Sequence, residues 1–129
     1  MSQPLVYLDA SDVREGALDE LKGAIKELVE LIEANEPRLL SYSVFISDDG
    51  SRMTVMHVHP DSASLDHHME VAGPAFARFK DLVRLSSIHV YGEPSDKALR
   101  QLHEKAQLLG TGDVVVQGLH AGFSRFGSP

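Results

Sequence analysis

Cysteine is missing from this 129-residue chain. Its absence excludes disulfides, thiolate metal sites and cysteine nucleophiles, and it fits a reducing cytosol. Positive charge is scarce. Twelve Lys and Arg stand against 19 Asp and Glu, a formal net charge of -7. That balance argues against a nucleic-acid partner, whose capture depends on a cationic footprint. No apolar run approaches the roughly 20 residues of a bilayer span, so no membrane partner is expected. The first residues, Met1 to Leu5, carry no basic segment followed by an apolar one. No signal peptide is therefore expected, and the default location is cytoplasmic. Cofactor motifs are wanting too. The segment from Gly110 to Val115 lacks the third glycine of a dinucleotide fingerprint, and it follows a helix instead of opening one. With no nucleophile elbow and no phosphate loop in the chain, no cofactor is expected.

What remains is ordinary in composition and informative in order. Hydrophobic residues make up 43% of the chain and charged residues 24%, values typical of a soluble globular domain. The length suits one domain over 1–129. Leu5 to Leu8 reads as a short strand. The spacing of Val13, Ala17, Leu21, Ala24, Ile25, Leu28, Leu31 and Ile32 predicts one buried helical stripe, with the helix running from about Asp12 to Ala34. Ser11 or Asp12 would cap it, Glu15 completing a capping box. Glu36-Pro37 would end it. Leu39 to Ser47 and Met53 to His59 read as two strands joined at Gly50 in a short hairpin. A helix from Ser62 to Lys80, capped by Asp61, should be interrupted at Gly73-Pro74. Leu82 to Tyr91 is the next strand, Ser95 to Leu109 a further helix, and Val114 to Gln117 a fifth strand.

The order β-α-β-β-α-β is the ferredoxin-like layout of the α+β class. Its core covers about residues 3–91, and the helix and strand within 92–129 are an addition. Helices on one face leave the other sheet face bare, with Phe45, or Tyr42 with Val44 and Ile46, depending on register. Apolar sheet faces are normally covered. A symmetric partner is the expected cover, favoured over the competing one, the chain's own C-terminal segment.

Seven histidines provide the possible chemistry. His57 and His59 alternate on one strand and share a face, an arrangement able to offer two imidazoles to a metal, with His68 or His89 as a third. The plainer reading is a half-polar face bonded internally, and no metal site is assigned. His67 and His68 point about 100° apart on their helix, His68 beside the stripe of Leu65, Met69, Ala72 and Phe76. A histidine at such an edge serves as general base if it lines a pocket. Simple alternation puts Leu85, Ser87, His89 and Tyr91 on one face of their strand. His89 and Tyr91 would then border the same cavity as His57 or Tyr42. His103 sits on a charged face and has no assigned role. Glu27, Glu30, Glu33 and Glu36 read as the solvated side of the first long helix.

The run from Tyr42 through the Asp48-Asp49-Gly50 turn to His59, followed by Ser64-Leu65-Asp66-His67-His68, resembles the core of the antibiotic biosynthesis monooxygenase family. The resemblance implies homodimers built as a dimeric α+β barrel, with a pocket between sheet and helices in each subunit. It also implies cofactor-independent oxygenation of an aromatic or quinol-like small molecule. His68 stands at the family's histidine position and becomes the expected catalytic base. Tyr42, His57, His59, His89, Tyr91 and Phe76 are the expected substrate-binding residues. His59 or His57 stands where the family often has tryptophan. Arg78-Phe79-Lys80 replaces the late-helix histidine of haem-binding members, which disfavours haem. Two other readings stand beside this one: a non-catalytic ligand-binding or structural dimer, and a metal-dependent enzyme using His57 and His59.

Overall fold

The computed structural model describes residues 4–126, side chains of residues 111 and 112 excepted. The two ends of the expected 1–129 domain, including part of the segment read for a signal peptide, lie outside the described residues. The elements are β1 (Leu5–Val13), α1 (Leu18–Asn35), β2 (Ser41–Ile46), β3 (Arg52–His59), α2 (Ser62–Ala72), α3 (Phe76–Phe79), β4 (Val83–Tyr91), α4 (Asp96–Leu109) and β5 (Gly110–Gln117). The strands form one sheet in the order β2-β3-β1-β4-β5. The first four are antiparallel neighbours in the ferredoxin-like order, and β5 adds to the edge parallel to β4. The expected α+β, βαββαβ architecture with an added helix and strand is the one observed.

β1 is longer than its apolar start suggests. Leu5, Tyr7, Asp9 and Ser11 all point inward and are buried, because the period-2 alternation continues through polar residues. The strand therefore takes up Asp12 and Val13, and α1 begins only at Leu18. Gly16, with φ +77, makes the turn between them, and no side chain caps the helix. Glu15 thus completes no capping box. Asp19 and Glu20 in the first turn favour the helix dipole instead. The other boundaries follow their local signals. Gly50 turns the hairpin at φ +75. The Asp61 carboxylate accepts from the Ser64 amide at 3.0 Å. A single 3-10 turn at Gly73–Ala75 separates α2 from α3, because Pro74 lacks the amide hydrogen a continuous helix needs. The Ser95 hydroxyl accepts from the Ala98 amide at 3.0 Å and donates to Asp66 at 2.9 Å, which ties the start of α4 to α2.

All the helices cover one face of the sheet, and the core lies between the two layers. Pairing puts Tyr42 beside His57 and Val44 beside Val55, on the inward face. Phe45, paired with Thr54, is left 55% exposed on the outer face. Of the two possibilities for the bare face, Phe45 is the one realised. β4 changes phase where its register with β1 shifts between Ala10 and Ser11. Leu85, Ile88 and Val90 therefore all point into the core, and His89 and Tyr91 turn to the outer face.

Candidate active site

Between sheet and helices lies a cavity with ≈ 470 Å³ of unfilled space, its open mouth included; ≈ 40 Å³ of it is free to the centre of a water molecule. Its walls are mostly apolar. They come from α1 (Ile25, Leu28), β2 and β3 (Val44, Met53, Val55), α3 (Phe76, Phe79) and β4 (Val83, Leu85). Asp9 and Ser11 of β1, Tyr42 of β2 and Lys105 of α4 contribute the polar groups. Its composition, mostly apolar with few polar groups, is that of a small-molecule site. The ≈ 40 Å³ is less than a bound aromatic ring needs, however, so a ring-bearing ligand must part the walls to enter.

The sheet face and α4 meet at the polar end. Lys105 belongs to the apolar stripe of its helix, with Ala98, Leu102, Ala106 and Leu109, and is buried with them. Its ammonium donates to the Tyr7 hydroxyl at 2.5 Å and to Asp9 Oδ2 at 3.1 Å. It also lies 4.6 Å from the ring centre of Phe76. Burial alone would raise the Asp9 carboxyl. The Lys105 charge and the neighbouring His57 overcome that and hold it well below the usual carboxylate range. The Tyr7 hydroxyl is driven up, first by burial and then by the Asp9 charge. Tyr42 is driven up by the same causes in the same order. Both phenols therefore stay protonated at neutral pH.

Three imidazoles pack behind this end. His57 meets His68 edge-on at 4.8 Å between ring centres, and His59 lies 6.0 Å from His57 and 5.7 Å from His68. Tyr42 touches two of them, at 4.7 Å from His57 and 5.7 Å from His68. His68 Nδ1 lies 3.0 and 2.9 Å from the two carboxylate oxygens of Glu36. An ionised carboxylate only accepts, so Nδ1 carries the hydrogen and a neutral His68 keeps its lone pair on Nε2. That nitrogen has no protein partner. His59 Nδ1 is bonded to the Ser64 hydroxyl at 2.8 Å, and its Nε2 is likewise unpartnered. His57 Nε2 stands 3.5 Å from Asp9 Oδ2, at the limit of a hydrogen bond. Both His57 nitrogens are effectively unpartnered. Burial pushes His57 down, and Asp9 only partly offsets this. His59 is lowered to about 3, by burial and then by His68.

Of the residues expected at the site, His57, His59 and His68 thus form one buried cluster with the half-buried Tyr42 against it, and Phe76 lines the cavity. His68 itself is not in the cavity wall. Tyr42, which does line it, lies against His68. His89 and Tyr91 stack on each other on the outer face, 6.3 Å between ring centres, and are not brought to this cavity. His67 is bonded to the Asn35 carbonyl at 2.9 Å. Glu36 is not on the solvated side of α1. It is the C-cap residue, past the last helical turn, and is buried against His68. Sequence reasoning passed over Tyr7, Asp9, Glu36 and Lys105. Asp9 and Lys105 leave a visible signal, each being a charge on an inward-facing position of an otherwise apolar pattern. Glu36 leaves none, since its partner is 32 residues away. Among the described residues, no group of three or more His, Asp or Glu side chains is arranged to hold a metal ion.

No protein-family model matches the chain, and no curated protein does. Solved structures do. MupZ from Pseudomonas fluorescens superposes with a TM-score of 0.74 at 17% identity, over 96% of each chain. A candidate antibiotic biosynthesis monooxygenase from Chloroflexus aurantiacus gives 0.57 at 17% identity, over 68% of this chain and 90% of that one. SnoaB, a cofactor-independent oxygenase from Streptomyces nogalater, gives 0.60 at 12% identity, over 73% of this chain and 96% of that one. The chain has the antibiotic biosynthesis monooxygenase-like fold. The two shorter structures match little beyond that common core. The small remainder left by the MupZ match cannot omit α4 and β5 together, so the added helix and strand also have counterparts in a solved structure.

Proposed function

We propose that this chain is a cofactor-independent oxygenase of an aromatic or quinol-like small molecule. The observation that supports this reading best is the buried His68–Glu36 pair behind the wall of an apolar cavity, with His68 Nε2 unpartnered. A carboxylate on Nδ1 fixes the tautomer and stabilises the imidazolium once it forms, as in other His–carboxylate catalytic pairs. In the proposed reaction His68 is the final proton acceptor. The proton reaches it through His57, which stands 3.5 Å from Asp9 and 4.8 Å between ring centres from His68; the rings must turn to form the hydrogen bonds that carry it. The burial that lowers His57 makes it a poor place for the charge to rest.

The resulting carbanion reduces dioxygen directly. At a ring carbon bearing two hydrogens, one oxygen atom becomes the new carbonyl, and the other leaves as water with the two hydrogens. The substrate supplies all four electrons, so no external reductant is needed. Asp9 and Lys105 border the reacting end, and Tyr42 and Phe76 hold the rings. The neighbour SnoaB, a cofactor-independent oxygenase, supports the class through the shared fold. We further propose a cytoplasmic homodimer joined through the outer sheet face, where Phe45 and Tyr91 are exposed. The test is an oxygen-electrode screen of polycyclic phenols against wild type and His68→Ala. Uptake by wild type that His68→Ala lacks is expected. Equal uptake by both sinks the assignment of His68, and no uptake with any phenol leaves the ligand-binding module as the better account.

A further inference from the structure

Lys105 and Asp9 form a donor–acceptor pair at the cavity wall, and one half of it comes from the added helix α4. An ammonium has three donors. The Tyr7 hydroxyl takes one and Asp9 a second, at 2.5 and 3.1 Å. The third has no partner among the described side chains. Lys105, Asp9 and Phe76 all line the same cavity, and the ammonium stands over the Phe76 ring at 4.6 Å. The ion pair is electrically balanced, so the site has no net charge with which to hold a carboxylate or phosphate. A neutral hydroxyl suits it better, because it can donate to a carboxylate and accept from an ammonium at once.

We propose that this pair is a hydroxyl-recognition subsite. It orients a ring-bearing ligand by its un-ionised phenolic or enolic hydroxyl, whose hydrogen goes to Asp9 and whose oxygen accepts from Lys105. Ser11 lines the cavity on the same strand face as Asp9, two residues further along. The apolar walls take the rings. This rests on the reading that the cavity binds a small aromatic molecule, and it assigns the specificity of that site to a residue outside the common core of the fold. A buried pair made to bond a hydroxyl penalises an analogue that lacks one, since its own groups are then left unpaired.

The test compares binding of 2-naphthol, 2-methoxynaphthalene and naphthalene to the full chain by ligand fluorescence. Wild type should favour 2-naphthol over both analogues by roughly tenfold or more. In the Asp9→Asn/Lys105→Met double variant, which removes both charges together, that preference should shrink to roughly twofold. Asp9→Asn alone, which nearly keeps the shape, should also reduce it, and circular dichroism checks the fold of each. Equal binding of the three ligands by wild type overturns the proposal. So does a full preference in either folded variant, or no binding of 2-naphthol at millimolar concentration. Oxygen uptake is read separately. A hydroxyl preference without uptake of oxygen by any phenol retains the subsite and removes the oxygenase.

Discussion

Acid should weaken this protein well before its carboxylates titrate, and His59 is the clearest reason. Its ring is inaccessible to solvent, its Nδ1 is bonded to Ser64 and its Nε2 has no partner. Burial and then His68 lower it to about 3, against an ordinary value of about 6.5 in the unfolded chain. Between those values the unfolded state binds more protons than the folded one. Stability therefore rises with pH across that window and is lost as pH falls below about 6.5. One unit is worth ~1.4 kcal/mol, and pH 5 lies roughly one and a half units below the ordinary value, so His59 alone should cost about 2 kcal/mol there. His57 is displaced in the same direction and adds to the loss. That is a large share of a domain stability of roughly 5–15 kcal/mol. Asp9 acts elsewhere. Its carboxyl is held below the usual range, so its contribution is complete above about 4 and fades only as pH falls further. The assay is urea unfolding at pH 7 and pH 5, followed by circular dichroism. His59→Gln keeps a polar group beside Ser64 but cannot titrate, and it should lose about 2 kcal/mol less than wild type between the two conditions. Equal losses in the two proteins would refute the reasoning.

Three further outcomes follow. If the oxygenase reading holds, Glu36→Gln should lower kcat by roughly tenfold or more, and His68→Ala by roughly 100-fold; turnover of folded protein with the best phenol measures both. Gly110→Ala should destabilise by about 1–3 kcal/mol, because a Cβ there would lie 2.2 Å from the Leu85 carbonyl oxygen and the backbone itself must shift. Its thermal midpoint should fall, and an unchanged midpoint would contradict the close approach of β5 to β4. Phe45→Glu puts a charge on the proposed dimer face, where Phe45 is 55% exposed. Light scattering should then report a monomer for the variant and a dimer for wild type, and a dimer in both would move the interface elsewhere.

The element order was legible because each boundary carries its own chemistry. Asp61, Ser95, Gly50 and Pro74 act within a few residues of themselves, and each does what its type suggests. The start of α1 was not legible. Val13 and Ala17 fit a helical stripe as well as a strand end, and only pairing of Val13 with Val83 decides between them. The phase of β4 was hidden for a similar reason, since the register shift arises between two strands more than 70 residues apart. It sends His89 and Tyr91 outward and leaves Leu85 inside. In the site, the inward alternation of β3 placed His57 and His59 correctly on one face. The partners that give them chemistry are long-range: Glu36 for His68, Asp9 for His57 and Lys105 for Asp9. A single sequence records such pairs only as charges in unexpected positions.

In the proposed reaction this cavity lets dioxygen react with a bound phenol using the chain's own side chains. The most direct measurement is the product mass after turnover under ¹⁸O₂ in ordinary water, with protein first stripped of metal by a chelator. One ¹⁸O atom in the product, at a rate unchanged by the chelator and lost in His68→Ala, is the predicted result. An unlabelled product, or activity that disappears on chelation and returns with added divalent metal, would contradict the claim.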